Sequence, residues 1–388
     1  MKTNKQTGIR TIRDLDIAGK TVFLRTDFNV PSSTGLNGVQ EIKDDSRIRE
    51  SLPTIEYARE QGAKVVLASH LDRPHGRIIP KFSLSPVADH LASLLGCDIL
   101  PPYDCTGLAV KWRVRKMKPG EVILLENLRF HEGEESENPD DNREFSEQLR
   151  RLCDVYVTDA FGTAHREHAS TYGLPALMAS QNKGVGLLVE KELKFLGQLL
   201  GQPPRPFYLV LGGSKVTDKI GPVKALLERV DGFVVGGAMA FAFWAIKGIP
   251  IPKQAVQPKP KDIEAAGEIL KEAEAKQIPF RLPTDTNQEF DIGPNTITEF
   301  ISFLADAKTI FWNGPLGKFE EPAYAQGTFA IARAVAELPA LKVAGGGDTI
   351  SAIRQSGTAE KWDHLSTGGS AALEYLEKGH LPGIDIIE

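Results

Sequence analysis

Residues 207–215 read FYLVLGGSK, and this stretch decides the fold class. Its five consecutive apolar or aromatic residues fit a strand that is buried on both faces, because a half-exposed strand would alternate polar and apolar residues. The glycines and the lysine that follow end the strand and let backbone N–H groups approach a ligand closely. The stretch predicts a buried parallel strand whose carboxyl end carries binding groups.

The same pattern recurs along the chain. Short apolar runs, each closed by glycine or polar residues, occupy 22–24, 65–68, 122–125, 155–157, 208–211, 233–235, 310–312 and 343–344. Helical periodicity is clearest in 47–59, 262–276 and 323–337. This alternation predicts an α/β fold of two Rossmann-like lobes, each a parallel sheet flanked by helices.

The two lobes are predicted to be joined by a hinge helix. Residues 184–202 have the apolar spacing of an amphipathic helix, and Gly201-Gln202-Pro203-Pro204 ends it. We predict an N-terminal lobe over 1–183, a connecting helix over 184–202 and a C-terminal lobe over 203–373. A single (β/α)₈ barrel fits the alternation, but it does not explain why the two halves differ in chemistry.

In the first half, cations follow the strands. The strand ends carry His70, Arg73, Arg129 and Arg166, and Arg47 begins the next predicted helix. An arginine fork binds phosphate or carboxylate through two hydrogen bonds, so this cluster suits a small molecule with two anionic groups. Asp27 and Asn29 are candidates to hold a hydroxyl group. Any one of these cations, taken alone, is more often a surface or ion-paired residue.

In the second half, glycines follow the strands, at 212–213, 236–237, 314, 345–347 and 368–369. Glycine lets backbone amides reach phosphate oxygens, and helices that start just after it offer free N–H groups. Lys215 and Lys219 add point charges, so the repetition predicts a polyphosphate site. Neither GxGxxG nor a P-loop occurs, which disfavours a dehydrogenase or a P-loop ATPase.

The composition and the cysteine count exclude several classes of protein. The 46 Lys+Arg residues against 51 Asp+Glu give a net charge of −5, which excludes general coating of nucleic acid. Cys97, Cys105 and Cys153 include no CxxC pair, so isolated thiols in a reducing compartment are expected and not a disulfide framework or a zinc knuckle. No secretory signal or membrane span is visible, so a cytosolic protein is expected.

Eight ordered segments resemble phosphoglycerate kinase: RTDFNVP, SHLDRP, LLENLRF, DAFGTAHR, GGSKVTDKI, WNGPLGKFE, GGGDT and STGG. The resemblance runs from about residue 15 to 384. It implies a two-lobed cytoplasmic monomer that transfers a phosphoryl group between 1,3-bisphosphoglycerate and Mg-ADP, giving 3-phosphoglycerate and ATP. It also implies that residues 374–388 return to the first lobe, and that closure of the lobes brings the reacting groups together.

The resemblance also implies roles for individual residues. The glycerate would be held by Asp27, Asn29, Arg47, His70, Arg73, Arg129 and Arg166. The nucleotide would be held by Gly212, Gly213, Lys215, Lys219, Gly237, Asn313, Pro315, Glu320, Gly345, Gly346, Gly347, Asp348 and Thr349. The catalytic set would be Arg47, Lys215 and the amides of Gly346 and Gly369, with Mg²⁺ beside Asp348.

The sequence departs from the family pattern mainly on the nucleotide side. Lys318 stands where an apolar residue is usual beside the adenosine, the segment 283–291 is short, and Asp72 occupies a usual glycine position. We therefore expect weak base selectivity, with GDP used nearly as well as ADP, unless Lys318 pairs with Glu321. The alternative is a divergent paralogue that binds ligands or partners but turns over poorly.

Overall fold

The computed structural model describes residues 8–34, 40–100 and 103–388, and it confirms the α/β fold. The chain separates into two compact units, one formed by Met1–Lys194 with His380–Glu388 and the other by Phe195–Gly379. Each unit is built on one parallel sheet. No helix in the described ranges has both the length and the apolar character needed to cross a bilayer.

The first unit is built on a five-stranded parallel sheet with helices packed on it, and it also contains a separate pair of short strands. Its strands are β1 (Thr21–Arg25), β2 (Ser32–Thr34), β3 (Gln40–Ile42), β4 (Lys64–Ala68), β5 (Val122–Leu124), β6 (Val155–Thr158) and β7 (Lys183–Val185). Its first helices are α1 (Ser46–Glu60), α2 (Ser85–Leu95), α3 (Gly107–Lys116), α4 (Pro139–Arg150) and α5 (Leu174–Ala176). The sheet order is β5-β4-β1-β6-β7, and β2 and β3 form a separate antiparallel pair.

The second unit is a six-stranded parallel sheet. Helix α6 (Leu187–Leu200) leads into it, and its strands are β8 (Phe207–Leu211), β9 (Gly232–Val235), β10 (Phe280–Arg281), β11 (Thr286–Asn287), β12 (Asp291–Ile292), β13 (Thr309–Asn313), β14 (Leu341–Gly345) and β15 (His364–Ser366). Its helices are α7 (Ile220–Leu227), α8 (Ala240–Lys247), α9 (Pro260–Ala275), α10 (Pro294–Leu304), α11 (Gln326–Ala336), α12 (Gly347–Gln355) and α13 (Ser370–Lys378). The order is β10-β9-β8-β13-β14-β15, with β11 and β12 as an antiparallel pair.

The central strands are buried as the opening stretch predicts. All five residues of β8 are buried, and so are all five of β1. In the first unit, Val22, Leu24 and Val65 pack with Ile48 and Ile55 of α1 in one apolar cluster. The apolar residues that set the helical period of α1 are therefore the ones that cover the sheet.

The strand register aligns the strand ends at one edge of each sheet. In the second unit Leu211 pairs with Asn313, Asn313 with Gly345, and Gly345 with Ser366. In the first unit Arg25 pairs with both Ala68 and Thr158. Every loop that the sequence singled out therefore leaves its sheet at the same edge as its neighbours.

The observed boundaries refine the predicted ones. The helices predicted at 47–59, 262–276 and 323–337 are α1, α9 and α11, with ends that differ by up to three residues. Residues 183–185 form β7, so the connecting helix starts at Leu187 and the division between the units falls within it. Residues 374–379 group with the second unit, because α13 continues to Lys378 and ends at Gly379 in a left-handed conformation. Only 380–388, with α14 (Pro382–Asp385), group with the first unit.

Asp159 holds the start of α6. Its Oδ1 accepts the backbone N–H groups of Leu188 at 2.9 Å and Val189 at 3.2 Å. The Asp159 side chain is fully buried, and a Cβ on Gly186 would overlap it. Burial raises the pKa of Asp159 to about 7, against the opposing effect of the Thr54 hydroxyl and these N–H groups.

We expect Asp159→Asn to remove a pH dependence of stability while keeping an oxygen that caps α6. Because the folded pKa of Asp159 lies above the usual value of 3.8, its protonated form contributes stability that is lost as the pH rises through about 7. The free energy of unfolding of the variant should therefore fall less between about pH 5 and about pH 8 than that of the wild type. Urea unfolding at both pH values measures this difference.

The matched control is Asp154→Asn. The Asp154 carboxylate also accepts a backbone N–H, from Thr21 at 2.9 Å, but the residue is exposed. This variant should keep the wild-type pH dependence. If Asp159→Asn has the same pH dependence as the wild type, Asp159 does not titrate as described.

Candidate active site

The carboxyl edge of the first sheet gathers charge around Arg25, the last residue of β1. Arg25 is fully buried, its Nε donates to Ser170 Oγ at 2.8 Å, and its Nη2 lies 3.3 Å from His70 Nδ1. Nearby, Arg47 Nη1 donates to Asp27 Oδ2 at 2.6 Å. Strand β1, the loop after β4 and helix α1 therefore meet in one charged cluster.

The electrostatics of this cluster favour an anionic ligand. Burial favours the neutral form of Asp27, but the charges of Arg47 and Arg25 outweigh it and lower the pKa of Asp27. Burial lowers the pKa of His70 well below its usual value, and the surrounding arginines lower it further. Asp27 is therefore ionised and His70 neutral near pH 7. The arginines supply the positive charge of the cluster.

Arg129 and His168 present nitrogens without a protein partner. Arg129 donates through Nη1 to the Asp72 carbonyl at 2.8 Å, and its Nη2 lies 2.7 Å from Glu135. Among the described residues, Arg129 Nε and His168 Nδ1 are buried and have no hydrogen-bond partner. Burial and the neighbouring arginines lower the pKa of His168 to about 3, so it is neutral. Buried polar groups normally have partners, so these two indicate a ligand position.

The other predicted residues of this unit lie around the same cluster. Arg73 and Arg166 are exposed, and their charges act on Arg129 and His168 respectively. Asn29 Oδ1 accepts the N–H of Asp72 at 2.9 Å. Asp72 has a φ of 56°, in the left-handed region that aspartate tolerates better than most residues. This backbone conformation explains why a glycine also suits the position.

Three members of this cluster have no role predicted from the sequence: Arg25, Glu134 and His168. Glu134 is fully buried and accepts hydrogen bonds from Ser170 N at 3.0 Å and Ser170 Oγ at 2.7 Å. Burial raises the pKa of Glu134, and the charge of Arg25 partly opposes this. Arg25 stands in the quoted RTDFNVP segment, but Glu134 lies in an ordinary acidic stretch and carries no sequence signal.

At the carboxyl edge of the second sheet, three of the described helices begin beside one pocket. Helices α7, α12 and α13 start at Ile220, Gly347 and Ser370, and none has a side-chain cap among the described residues. The Ala371 N–H of α13 donates to the Gly368 carbonyl at 3.0 Å, and the positive ends of the three helix dipoles favour an anion. Gly346, before α12, has a φ of 94°.

Lys219 is held against two strand ends. Its Nζ donates to the carbonyl oxygens of Gly212 at 2.5 Å and Asn313 at 3.1 Å. Gly212 and Gly314 approach so closely that a Cβ on either would overlap the other's loop, which is why both positions require glycine. Burial lowers the pKa of Lys219 to about 8, although Asp218 and Asp348 oppose the shift.

Most of the predicted nucleotide residues line this pocket, which has a volume of about 780 Å³. Those that line it are Gly213, Lys215, Lys219, Asn313, Pro315, Gly346, Gly347, Asp348 and Thr349, and Gly369 of the predicted catalytic set lines it as well. Two of them also hold the loops together, since Asn313 Nδ2 donates to the Gly345 carbonyl at 2.8 Å and Thr349 Oγ1 accepts the Gly314 N–H at 2.7 Å. The lining also includes Asp218, Glu374, Glu377 and Lys378, for which no sequence pattern predicts a role.

Four predicted residues do not line the pocket: Gly212, Gly237, Gly345 and Glu320. Gly212 and Gly345 lie just behind it in the strand ends, and Glu320 is exposed. Gly237 lines a small separate cavity of about 10 Å³ with Pro283, Phe290 and Ile292 among others. Lys318 forms an ion pair with Glu321, and its Nζ lies 5.7 Å from the centre of the Phe290 ring.

The two sites differ in what they can bind. The first unit offers arginine forks and buried unpartnered nitrogens, which suit a small ligand with carboxylate or phosphate groups. The second offers helix N-termini, a lysine and a wide polar pocket, which suit a polyphosphate. Asp348 is an exposed carboxylate at the start of α12 and lines that pocket, and oxygen donors of this kind fit Mg²⁺ when phosphates supply further ligands.

The chain is similar to known phosphoglycerate kinases over nearly its whole length. A family model described as phosphoglycerate kinase matches residues 12–379. A phosphoglycerate kinase of Bdellovibrio bacteriovorus is 44% identical over 403 residues, covering 98% of this chain and 97% of the relative. A phosphoglycerate kinase of Acidobacterium capsulatum is 45% identical over 408 residues, covering 97% of this chain and 98% of the relative. The solved structure of phosphoglycerate kinase from Coxiella burnetii has a TM-score of 0.84 and 36% identity, covering 98% of each chain.

We expect phosphate binding in the second unit to be accompanied by proton uptake by Lys219. The pKa of Lys219 is about 8 without a ligand, and a nearby phosphate raises it because the anion favours the charged amine. Near pH 8 to 9, a fraction of the lysine therefore gains a proton when ADP binds. Calorimetry in two buffers of different ionisation enthalpy measures that uptake.

Two variants make the assignment specific. Lys219→Met should abolish the proton uptake, whereas Lys215→Met, which removes the exposed cation of the same pocket, should retain it. Equal proton uptake in wild type and Lys219→Met would show that another group titrates.

Proposed function

The chain belongs to the phosphoglycerate kinase family, and from that premise we propose which of its residues bind each substrate and carry the transfer. It is a phosphotransferase that moves a phosphoryl group reversibly between 1,3-bisphosphoglycerate and ADP, a reaction of glycolysis. The alternative of a divergent binding protein is not favoured, because relatives that bear the enzyme's name match nearly the full chain at 44% identity.

The glycerate substrate binds at the cationic cluster of the first unit. Arg129 Nε and His168 Nδ1, which are buried and unpartnered among the described residues, are the observation that supports this assignment most directly. Arg47, Arg73 and Arg166 surround the ligand with charge. Asp27 remains ionised and fixes Arg47 at 2.6 Å, so it serves as an orienting residue as well as a hydroxyl acceptor.

The nucleotide binds in the pocket of the second unit. The uncapped starts of α12 and α13 receive its phosphates, with Lys215 and Lys219 as the cations. Asp348 would hold Mg²⁺, which would supply charge neutralisation for the phosphate oxygens. Asn313 and Thr349 fix the loops around that position and act as positioning residues.

The reaction needs positioning and charge neutralisation and no general base. A carboxylate oxygen of 3-phosphoglycerate or a terminal phosphate oxygen of ADP forms the new bond to phosphorus while the bond to the leaving oxygen breaks. Neither nucleophile loses a proton. Arg47, Lys215 and the amides of Gly346 and Gly369 stabilise the charge that develops on the transferred group.

The remaining expectations concern the state of the protein in the cell. We infer a cytoplasmic monomer that binds neither nucleic acid nor membrane. The net charge of −5 supports the lack of nucleic-acid binding.

We expect Arg47→Ala to reduce kcat by about 100-fold to 1,000-fold, the usual cost of removing one preorganised charge from a transition state. The fold should persist, because α1 keeps Ile48 and Ile55 in the core. A coupled assay with saturating substrates measures kcat, and circular dichroism checks the fold.

Arg49→Ala is the matched control. Arg49 lies on the same helix, and its Nε donates to Asp45 at 2.9 Å on the surface. This variant should retain kcat within about twofold, since an exposed ion pair contributes little. Near-normal turnover in Arg47→Ala would remove Arg47 from the catalytic set.

Base selectivity depends on where Lys318 points. If its amine reaches the guanine O6, Lys318→Val increases selectivity for ADP over GDP. Lys318 pairs with Glu321 and is not among the residues that line the small cavity beside Phe290. We therefore expect the ratio of kcat/KM for ADP to that for GDP to change by less than about twofold in Lys318→Val.

A further inference from the structure

Outside both substrate sites, Asp104, Cys105 and His131 come together in the first unit. One ligand atom from each residue, a carboxylate oxygen, a thiol sulfur and an imidazole nitrogen, lies within 4.8 Å of the other two. Asp104 Oδ1 and His131 Nε2 are 2.8 Å apart. A tetrahedral ion with bonds of about 2.0 to 2.3 Å needs such neighbouring donors.

The surrounding structure holds these three residues in place. The His131 ring stacks on Phe145 of α4, with centroids 4.7 Å apart and planes 19° apart. Asp104 Oδ1 also accepts the backbone N–H of Cys105 at 2.6 Å. The buried Cys105 Sγ points to the Glu126 carbonyl at 2.8 Å. Packing has therefore already restricted the donors, so binding an ion costs little ordering entropy.

Charge and access both favour a cation here. The carboxylates of Asp104, Glu126 and Glu134 lie close enough to Cys105 to act on it electrostatically. The same carboxylates attract a divalent cation. Asp104 also lines an open cavity of about 270 Å³ beside the exposed rings of Tyr103 and Trp112, which provides a route from solvent.

We propose that Asp104, Cys105 and His131 bind one borderline-soft divalent cation, of which Zn²⁺ is the best match. Thiolate and imidazole donors select Zn²⁺ and Co²⁺ over Mg²⁺, which prefers oxygen ligands. On binding, the Sγ–H bond of Cys105 breaks, its proton passes to solvent, and a sulfur–metal bond forms without an oxidant. With three protein ligands, the fourth position is taken by water.

The test titrates Co²⁺ into the nucleotide-free protein and records its absorption. We expect one equivalent to give the near-ultraviolet charge-transfer band of a thiolate–cobalt bond, and Zn²⁺ to displace it. Cys105→Ser should lose the band. His131→Asn, at a partly exposed ring, should weaken binding by about tenfold or more and keeps the test valid if the buried serine disturbs folding.

Cys97→Ser is the matched control, because Cys97 is a free cysteine outside the cluster and should leave the band unchanged. Three results would overturn the proposal: no charge-transfer band in the wild type, a band that survives in Cys105→Ser, or Co²⁺ affinity that is unchanged in His131→Asn.

Discussion

The alignment of parallel strand ends is the constraint on which both sites depend. Parallel pairing fixes the register, so Leu211, Asn313 and Gly345 end side by side, and the segments that follow them must share one edge. Helices return each chain segment to the opposite edge, which leaves the carboxyl edge for loops. The chemistry of each site is then set by the residues that come first after each strand: cations in one unit and glycines in the other.

In the first unit, the residue that ends the central strand β1 is a charged arginine buried inside the protein. Arg25 ends a central strand and is fully buried, which is costly unless hydrogen bonds and opposite charge compensate it. Ser170 bridges it to Glu134, and His70 contacts its other end. The same network holds the His70 ring, whose Nδ1 lies 3.3 Å from Arg25 Nη2. Buried charges of opposite sign rarely add net stability. We therefore regard Arg25 and Glu134 as residues that orient their neighbours.

In the second unit the limiting factor is backbone space. The loops after β8 and β13 approach so closely that Gly212 and Gly314 leave no room for a Cβ. Lys219 enters between them and donates to both strand ends, which desolvates its amine and lowers its pKa to about 8. A phosphate in this pocket would therefore meet a lysine that is already positioned, beside the starts of three helices.

The sequence alone was enough to predict the fold class and most of the residues that gather at the carboxyl edge of each sheet. Runs such as FYLVL and the glycines or arginines after them are local patterns, so strand positions and the chemistry of the strand ends could be inferred from neighbouring residues alone. It did not place Glu134, His168 or Glu377 in the sites, and it gave no reason to join Cys105 to His131. Those residues meet through contacts between segments distant in sequence. Only tertiary packing decides such contacts, because burial and the field of neighbouring charges have no local sequence pattern.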